Sequence, residues 1–134
     1  MKGGVVQSRS LVVRVSWVAA LFFFVVFGVW PFVAPHSFYV SLATFPPFNT
    51  HLMRDIGAFT LGIGIGLLAA FRWADALLVV LSTAAAASVL HVASHLIDRN
   101  RGGHPVSDIA LLGVLAALLI VGAVVRAREL RTAG

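Results

Sequence analysis

Residues Val15–Val33 read VSWVAALFFFVVFGVWPFV, 19 positions without one charged side chain. About 20 apolar residues in a helix cross the hydrocarbon core of a bilayer. The run exceeds the ~7–15 apolar residues of a secretory leader, and no small-x-small cleavage site follows it. It therefore reads as a retained first span. Trp17 and Trp30 near its ends suit the two membrane interfaces, and Pro31 and Pro35 are expected to close it.

Three further runs follow, at roughly 53–71, 76–97 and 108–125. Between the first two lies an interfacial connection, about 35–50, in which Ser37–Leu42 suits a short helix at the membrane surface. Pro46-Pro47 implies extended chain, with Asn49 or Thr50 capping the next helix. Ser107 and Asp108 are expected to open the last span, Ser107 as its cap.

Over the whole chain 60% of residues are hydrophobic, 11% are charged and the mean hydropathy is +0.98, where soluble domains carry about 25% charge. The fold class read from this is an all-α membrane protein: a single four-span bundle, multi-pass in the plasma membrane, with the lipid bilayer as its main partner.

The absence of cysteine rules out disulfides, thiolate metal sites, Cys-ligated iron–sulfur clusters and a cysteine nucleophile. A net charge of +5 does not indicate nucleic acid, because the basic residues flank the apolar runs and form no recognition motif. Four spans put both termini on one side, with Lys2, Arg9, Arg14, Arg72, Arg126, Arg128 and Arg131. The other side holds Arg54, Arg99 and Arg101. That asymmetry predicts cytoplasmic termini.

With that orientation all five histidines fall toward the outer end, as do Asp55, Asp98 and Asp108. His91, His95 and Asp98 share one helical stripe at i, i+4 and i+7, continuing Ala84 and Ser88. His51 and Asp55 repeat the i, i+4 pattern on the second span and extend its ladder of small residues, Ala58, Gly62, Gly66 and Ala70. Small residues let helices approach closely in lipid, so both stripes are expected to face protein. The same faces, Ala58/Gly62/Gly66/Ala70 and Ala84/Ser88, could serve a second copy or a membrane-complex partner.

Three readings of the outer cluster follow. His51, His91, His95 and Asp55 can bind a divalent metal, since imidazole suits zinc, copper, iron and nickel. A haem or quinone pocket could use His51, His91 and His95, haem through imidazoles from two facing helices and a quinone through a polar anchor beside an apolar groove. The third reading is a structural polar network of Arg54, Asp98, Arg99 and Asp108 that pins helix ends, with His36 and His104 as loop residues. Ser82 and Thr83 are expected to bond back within their own helix. No Ser-His-Asp arrangement with a nucleophile elbow, HExxH or phosphate-cradling loop occurs. The Gly62-x-Gly64-x-Gly66 run lies inside an apolar helix. The expected function is that of a small, non-enzymatic or accessory integral membrane protein. The alternative is a metal- or redox-cofactor-binding one.

The stretch Pro47-Phe48-Asn49-Thr50-His51-Leu52-Met53-Arg54-Asp55-Ile56-Gly57-Ala58, of the form PxNxHLxRDxGA, and the HxxxHL of His91–Leu96 resemble a group of small actinobacterial integral membrane proteins. In outline the chain is also similar to DoxX-like four-helix membrane proteins. The resemblance covers about residues 37–125. It implies the four-span fold, points at His51, Arg54, Asp55, Gly57, His91 and His95, and implies no reaction.

Overall fold

The computed structural model describes Ser8 and residues 10–132. The chain runs through α1 (Leu11–Val33), α2 (Pro35–Ser41), α3 (Thr50–Ala69), α4 (Ala74–Ile97) and α5 (Pro105–Thr132), with no strand among the described residues. All but the short α2 are long and apolar enough to cross a membrane, so the protein is an all-α, multi-pass bundle. The 23 residues of α1 span about 35 Å at 1.5 Å each. Phe22 and Phe59, 66% and 80% exposed, are outward side chains that a lipid environment accommodates and water would not.

Helix ends follow local chemistry. Asn49 caps α3, its Oδ1 accepting the Leu52 N–H at 3.1 Å, and Thr83 bonds back to Val79 O at 3.0 Å. Pro31 does not end α1. It is buried inside the last turn, and the helix stops at Val33. Pro35 disfavours helical backbone at Ala34, which sits at φ −128° and ψ 65°, and itself begins α2, where a missing N–H costs nothing.

The α5 helix is longer at both ends than the sequence suggests. It starts at Pro105, so Ser107 lies within its first turn and donates to His104 O at 3.1 Å rather than capping it. The basic tail through Arg131 is helical. Lys2 and Arg9, counted for the charge asymmetry, lie outside the described residues.

The helices form an incomplete ring. The α1/α3 and α4/α5 pairs pack extensively and α1 joins α5, whereas α3 and α4 touch sparsely. A Cβ on Gly28 would lie 2.6 Å from Leu61 N, and one on Gly57 would lie 2.6 Å from Phe32 N and 2.8 Å from Gly28 O. Backbone thus meets backbone where α1 crosses α3. The packing face of α3 is therefore Gly57–Leu61–Gly64. This corrects the expected ladder: Ala58 is exposed and a Cβ on Gly62 would meet nothing within 4 Å. Only its last members turn inward, Gly66 facing Val80 and Ala70 fully buried.

The apolar core lies toward the end that carries the termini, where Leu67 and Ala70 of the α3 end join Leu77, Leu81 and Ala84 of α4, Leu115 and Leu119 of α5, and Val13 and Ala20 of α1. Two cross-helix bonds tie it together: Ser16 Oγ donates to Leu118 O at 3.0 Å and Trp17 Nε1 to Leu67 O at 2.8 Å. Below it, the Glu129 carboxylate accepts from Ser8 Oγ at 2.9 Å, Ser10 N at 3.1 Å and Arg126 Nη1 at 3.0 Å. The start of α1 is thereby held against the end of α5.

Candidate functional site: a cavity between α3 and α4

At the opposite end, where α3 and α4 separate, the bundle contains a cavity of about 430 Å³. Its walls are strongly apolar: Phe23, Phe24 and Phe27 from α1, Met53, Ile56, Phe59 and Ile63 from α3, and Leu111 and Leu112 from α5. Phe38 of α2 and Phe45 and Pro47 of the connection that follows line it from the loop side. Leu52, Phe59 and Leu111, which line it, are each more than half exposed, so the cavity is not sealed from its surroundings.

The loop between α4 and α5 fastens this roof. Gly103 N–H donates to Thr44 O at 3.3 Å. Gly102 and Gly103 have φ of +140° and +70°, backbone that disfavours other residues. A Cβ on Gly102 would also come within 2.5 Å of Thr44 O.

Against the aromatic walls stand five polar side chains: Thr60, Ser88, His91, His95 and Asp108. The α4 stripe proposed from helical spacing supplies three of them. His91 and His95 approach through their Nε2 atoms, 3.2 Å apart, so one nitrogen donates and the other accepts. His95 Nδ1 is 3.8 Å from Asp108 Oδ2, and both side chains are only 12% exposed. That distance suits an ion pair when His95 is protonated and is too long for a hydrogen bond. Asp108 is oriented by its own helix start, its Oδ2 accepting the His104 N–H at 2.9 Å. The Phe45 ring meets His95 edge-on at a centroid distance of 5.8 Å. One turn deeper, Ser88 is 2% exposed, and its Oγ is buried without any hydrogen-bond partner.

His51 and Asp55 are elsewhere. They pair with each other across one turn at 3.4 Å, with side chains 87% and 48% exposed, and neither lines the cavity. The expected metal set His51, Asp55, His91 and His95 is not assembled, and among the described residues no three His, Cys, Asp or Glu side chains could together hold a metal ion. The reason is rotational. At 3.6 residues per turn, positions 51, 55, 58 and 62 lie roughly 100–160° around α3 from Gly57, the face that packs on α1.

A haem ligated from two facing helices is not offered either. The cavity's two imidazoles come from one helix and have their Nε2 atoms side by side.

The expected polar network also divides. Asp98 leaves the histidine stripe and pairs with Arg101 at 3.1 Å in the exposed turn. Among the described residues neither Arg54 nor Arg99 forms an ion pair. Asp108, read as structural, is instead the carboxylate behind His95. Ala84 and Ser88 are buried within the chain, which removes that face as a surface for a partner.

Ser88 shares the His91 stripe and was within reach of sequence reasoning. Thr60 was not, because its place in the wall depends on how α3 is rotated. No protein-family model, curated protein or solved structure matches this chain.

Proposed function

We propose that this protein binds an amphiphile taken laterally from the bilayer, and that it presents or stores the ligand without transforming it. The apolar body lies among Phe23, Phe27, Phe38 and Phe59. A compact oxygen-bearing head, such as a carbonyl or hydroxyl, reaches Ser88 and the His91–His95 pair. The observation that carries this reading is Ser88 Oγ, a buried hydroxyl without a partner on the wall of an otherwise aromatic cavity. A buried hydroxyl left unpaired costs about 1–3 kcal/mol, which a ligand oxygen would relieve. Quinones have this chemistry, a planar carbonyl head on an apolar tail, and they keep the redox-ligand alternative in view without requiring His51. The termini-bearing end, with its excess of arginine, faces the cytoplasm in this reading, and the membrane is the plasma membrane.

The fluorescence of Trp30 provides the test. Its ring packs edge-on against Phe38, centroids 5.4 Å apart, and Phe38 lines the cavity. A short-tailed benzoquinone with a decyl chain, added to the purified protein in detergent, should quench this tryptophan saturably. Its binding should weaken when Phe59 or Ser88 is replaced. Solvent extraction of the freshly purified protein should release a co-purifying lipophile identifiable by mass spectrometry. Quenching that never saturates, together with an extract containing only bulk phospholipid, would defeat the proposal.

A further inference from the structure

We propose that the cavity rejects amphiphiles with anionic heads and that Asp108 is the residue that sets this specificity. The inference rests on the amphiphile-binding reading above and narrows its ligand class to neutral heads.

The first support is the charge inventory of the wall. A buried anion is costly unless a cation accompanies it. Among the described residues that line the cavity, none is Lys or Arg. The arginines of this end are engaged elsewhere or stand outside. Arg101 pairs with Asp98 at 3.1 Å in the exposed turn, and Arg54 and Arg99 are exposed and lie outside the lining. The ionisable side chains of the described wall are His91, His95 and Asp108.

The second support is the sign of what remains. Asp108 lies in the first turn of α5, where the helix dipole favours a carboxylate, and its Oδ2 accepts the His104 N–H at 2.9 Å. Its side chain is only 12% exposed, so salt and water screen it weakly. With neutral imidazoles the wall bears one negative charge. A proton on His95, whose Nδ1 lies 3.8 Å from Asp108 Oδ2, brings that charge to zero and not to a positive value. The positive start of α5 is the other feature that attracts anions, and the same carboxylate already fills it. A carbonyl, amide or hydroxyl head needs no counter-charge and escapes this repulsion.

Displacement of the decyl-benzoquinone, read as recovery of tryptophan fluorescence in detergent at about pH 8.5, provides the test, because a carboxylic acid of pKa about 4.3 is ionised there. Decanamide and decanoate share a tail and nearly a head shape, and differ in charge. Decanamide should displace the quinone from the wild-type protein at concentrations where decanoate does not. Asp108→Asn keeps an acceptor for the His104 N–H. It should leave decanamide unchanged and improve decanoate by roughly 10–100-fold, the range for removing a like charge several ångströms away in a partly shielded site. A second comparison needs no variant: decylamine, charged like decanoate but positive, should displace the quinone from the wild-type protein at lower concentration than decanoate does. Equal displacement by decanamide and decanoate, decanoate binding indifferent to Asp108→Asn, or decanoate outcompeting decylamine would each overturn the inference while leaving amphiphile binding in place. Failure of both the quinone and decanamide to bind would instead remove the amphiphile reading itself, and this specificity with it.

Discussion

Replacing Gly28 with alanine should loosen the bundle, whereas the same change at Gly62 should not. A methyl at Gly28 would lie 2.6–2.7 Å from the backbone N and Cα of Leu61 and 2.8 Å from its Cβ. Carbon contacts are optimal near 3.5–4.0 Å, so α1 and α3 would have to separate by roughly 0.7 Å or more at their crossing. A radial gap of that size forfeits about a quarter to a half of each contact's attraction. Backbone cannot rotate aside as a flexible side chain can, so the expected loss is that of overpacking, about 1–3 kcal/mol.

The better helix propensity of alanine returns at most ~1 kcal/mol, so the steric effect wins. At Gly62 a Cβ meets nothing within 4 Å, and only the propensity acts, leaving stability unchanged or slightly higher. Gly57→Ala should behave like Gly28→Ala, since a Cβ on Gly57 would lie 2.8 Å from Gly28 O at the same crossing. The double variant should then cost less than the sum, because one separation relieves both clashes. Unfolding midpoints in a fixed detergent would measure all four variants. If Gly28→Ala cost nothing, or Gly62→Ala cost as much, the assigned rotation of α3 would be wrong.

Three further outcomes are expected. Ser88→Ala should not destabilise the ligand-free protein, because the hydroxyl has no bond to lose, yet it should weaken decyl-benzoquinone binding by about 2–10-fold, the equivalent of one hydrogen bond of ~0.5–1.5 kcal/mol; thermal melts and quenching titrations report the two halves. Glu129→Ala removes the acceptor shared by Ser8, Ser10 and Arg126 and should cost about 2–3 kcal/mol in a denaturation assay, as hydrogen bonds to charged groups are the stronger kind; it should also raise hydrogen exchange at the start of α1. Trp17→Phe deletes the bond to Leu67 O and should cost about 0.6 kcal/mol, the average for interhelical bonds in membranes, measured by the same melts.

The incomplete ring explains why a cavity exists. Where helix pairs are joined by small residues or cross-chain bonds, they close: Gly28 with Leu61, Gly122 beneath Ser16, Gly66 beside Val80. Toward the histidine end α3 presents Met53, Ile56, Phe59 and Ile63 to the cavity, and α4 answers with the small Ala87 and Ser88 before the two imidazoles. The helices diverge there, and aromatic rings from α1, α2 and the following connection border the space without filling it. Polar groups in a lipid-facing wall are costly unless paired. His91 pairs with His95 and Asp108 with the His104 N–H, whereas Ser88 Oγ is buried without a partner and so points to a ligand.

Local chemistry alone determined much of this molecule. Four apolar runs of membrane length predicted four spans, side-chain type narrowed the α3 cap to Asn49 or Thr50, and helical spacing placed Ser88, His91 and His95 on one face of α4. Each of these depends on interactions within a few residues, which periodicity and side-chain type encode directly. The rotation of α3 is different in kind. The ladder Ala58, Gly62, Gly66 and Ala70 is the more regular run of small residues, but Gly57 and Gly64 offer a second close-packing face on the same helix. Only backbone contact with α1 at Gly28 and Phe32 selects the Gly57 stripe, turning His51, Asp55, Ala58 and Gly62 outward. The same tertiary choice parts α3 from α4 and brings Asp108 of α5, rather than Asp98 of the same stripe, to His95. Residues joined by a helical turn are neighbours by geometry of the chain, whereas residues joined across a bundle are neighbours only once every helix has found its rotation.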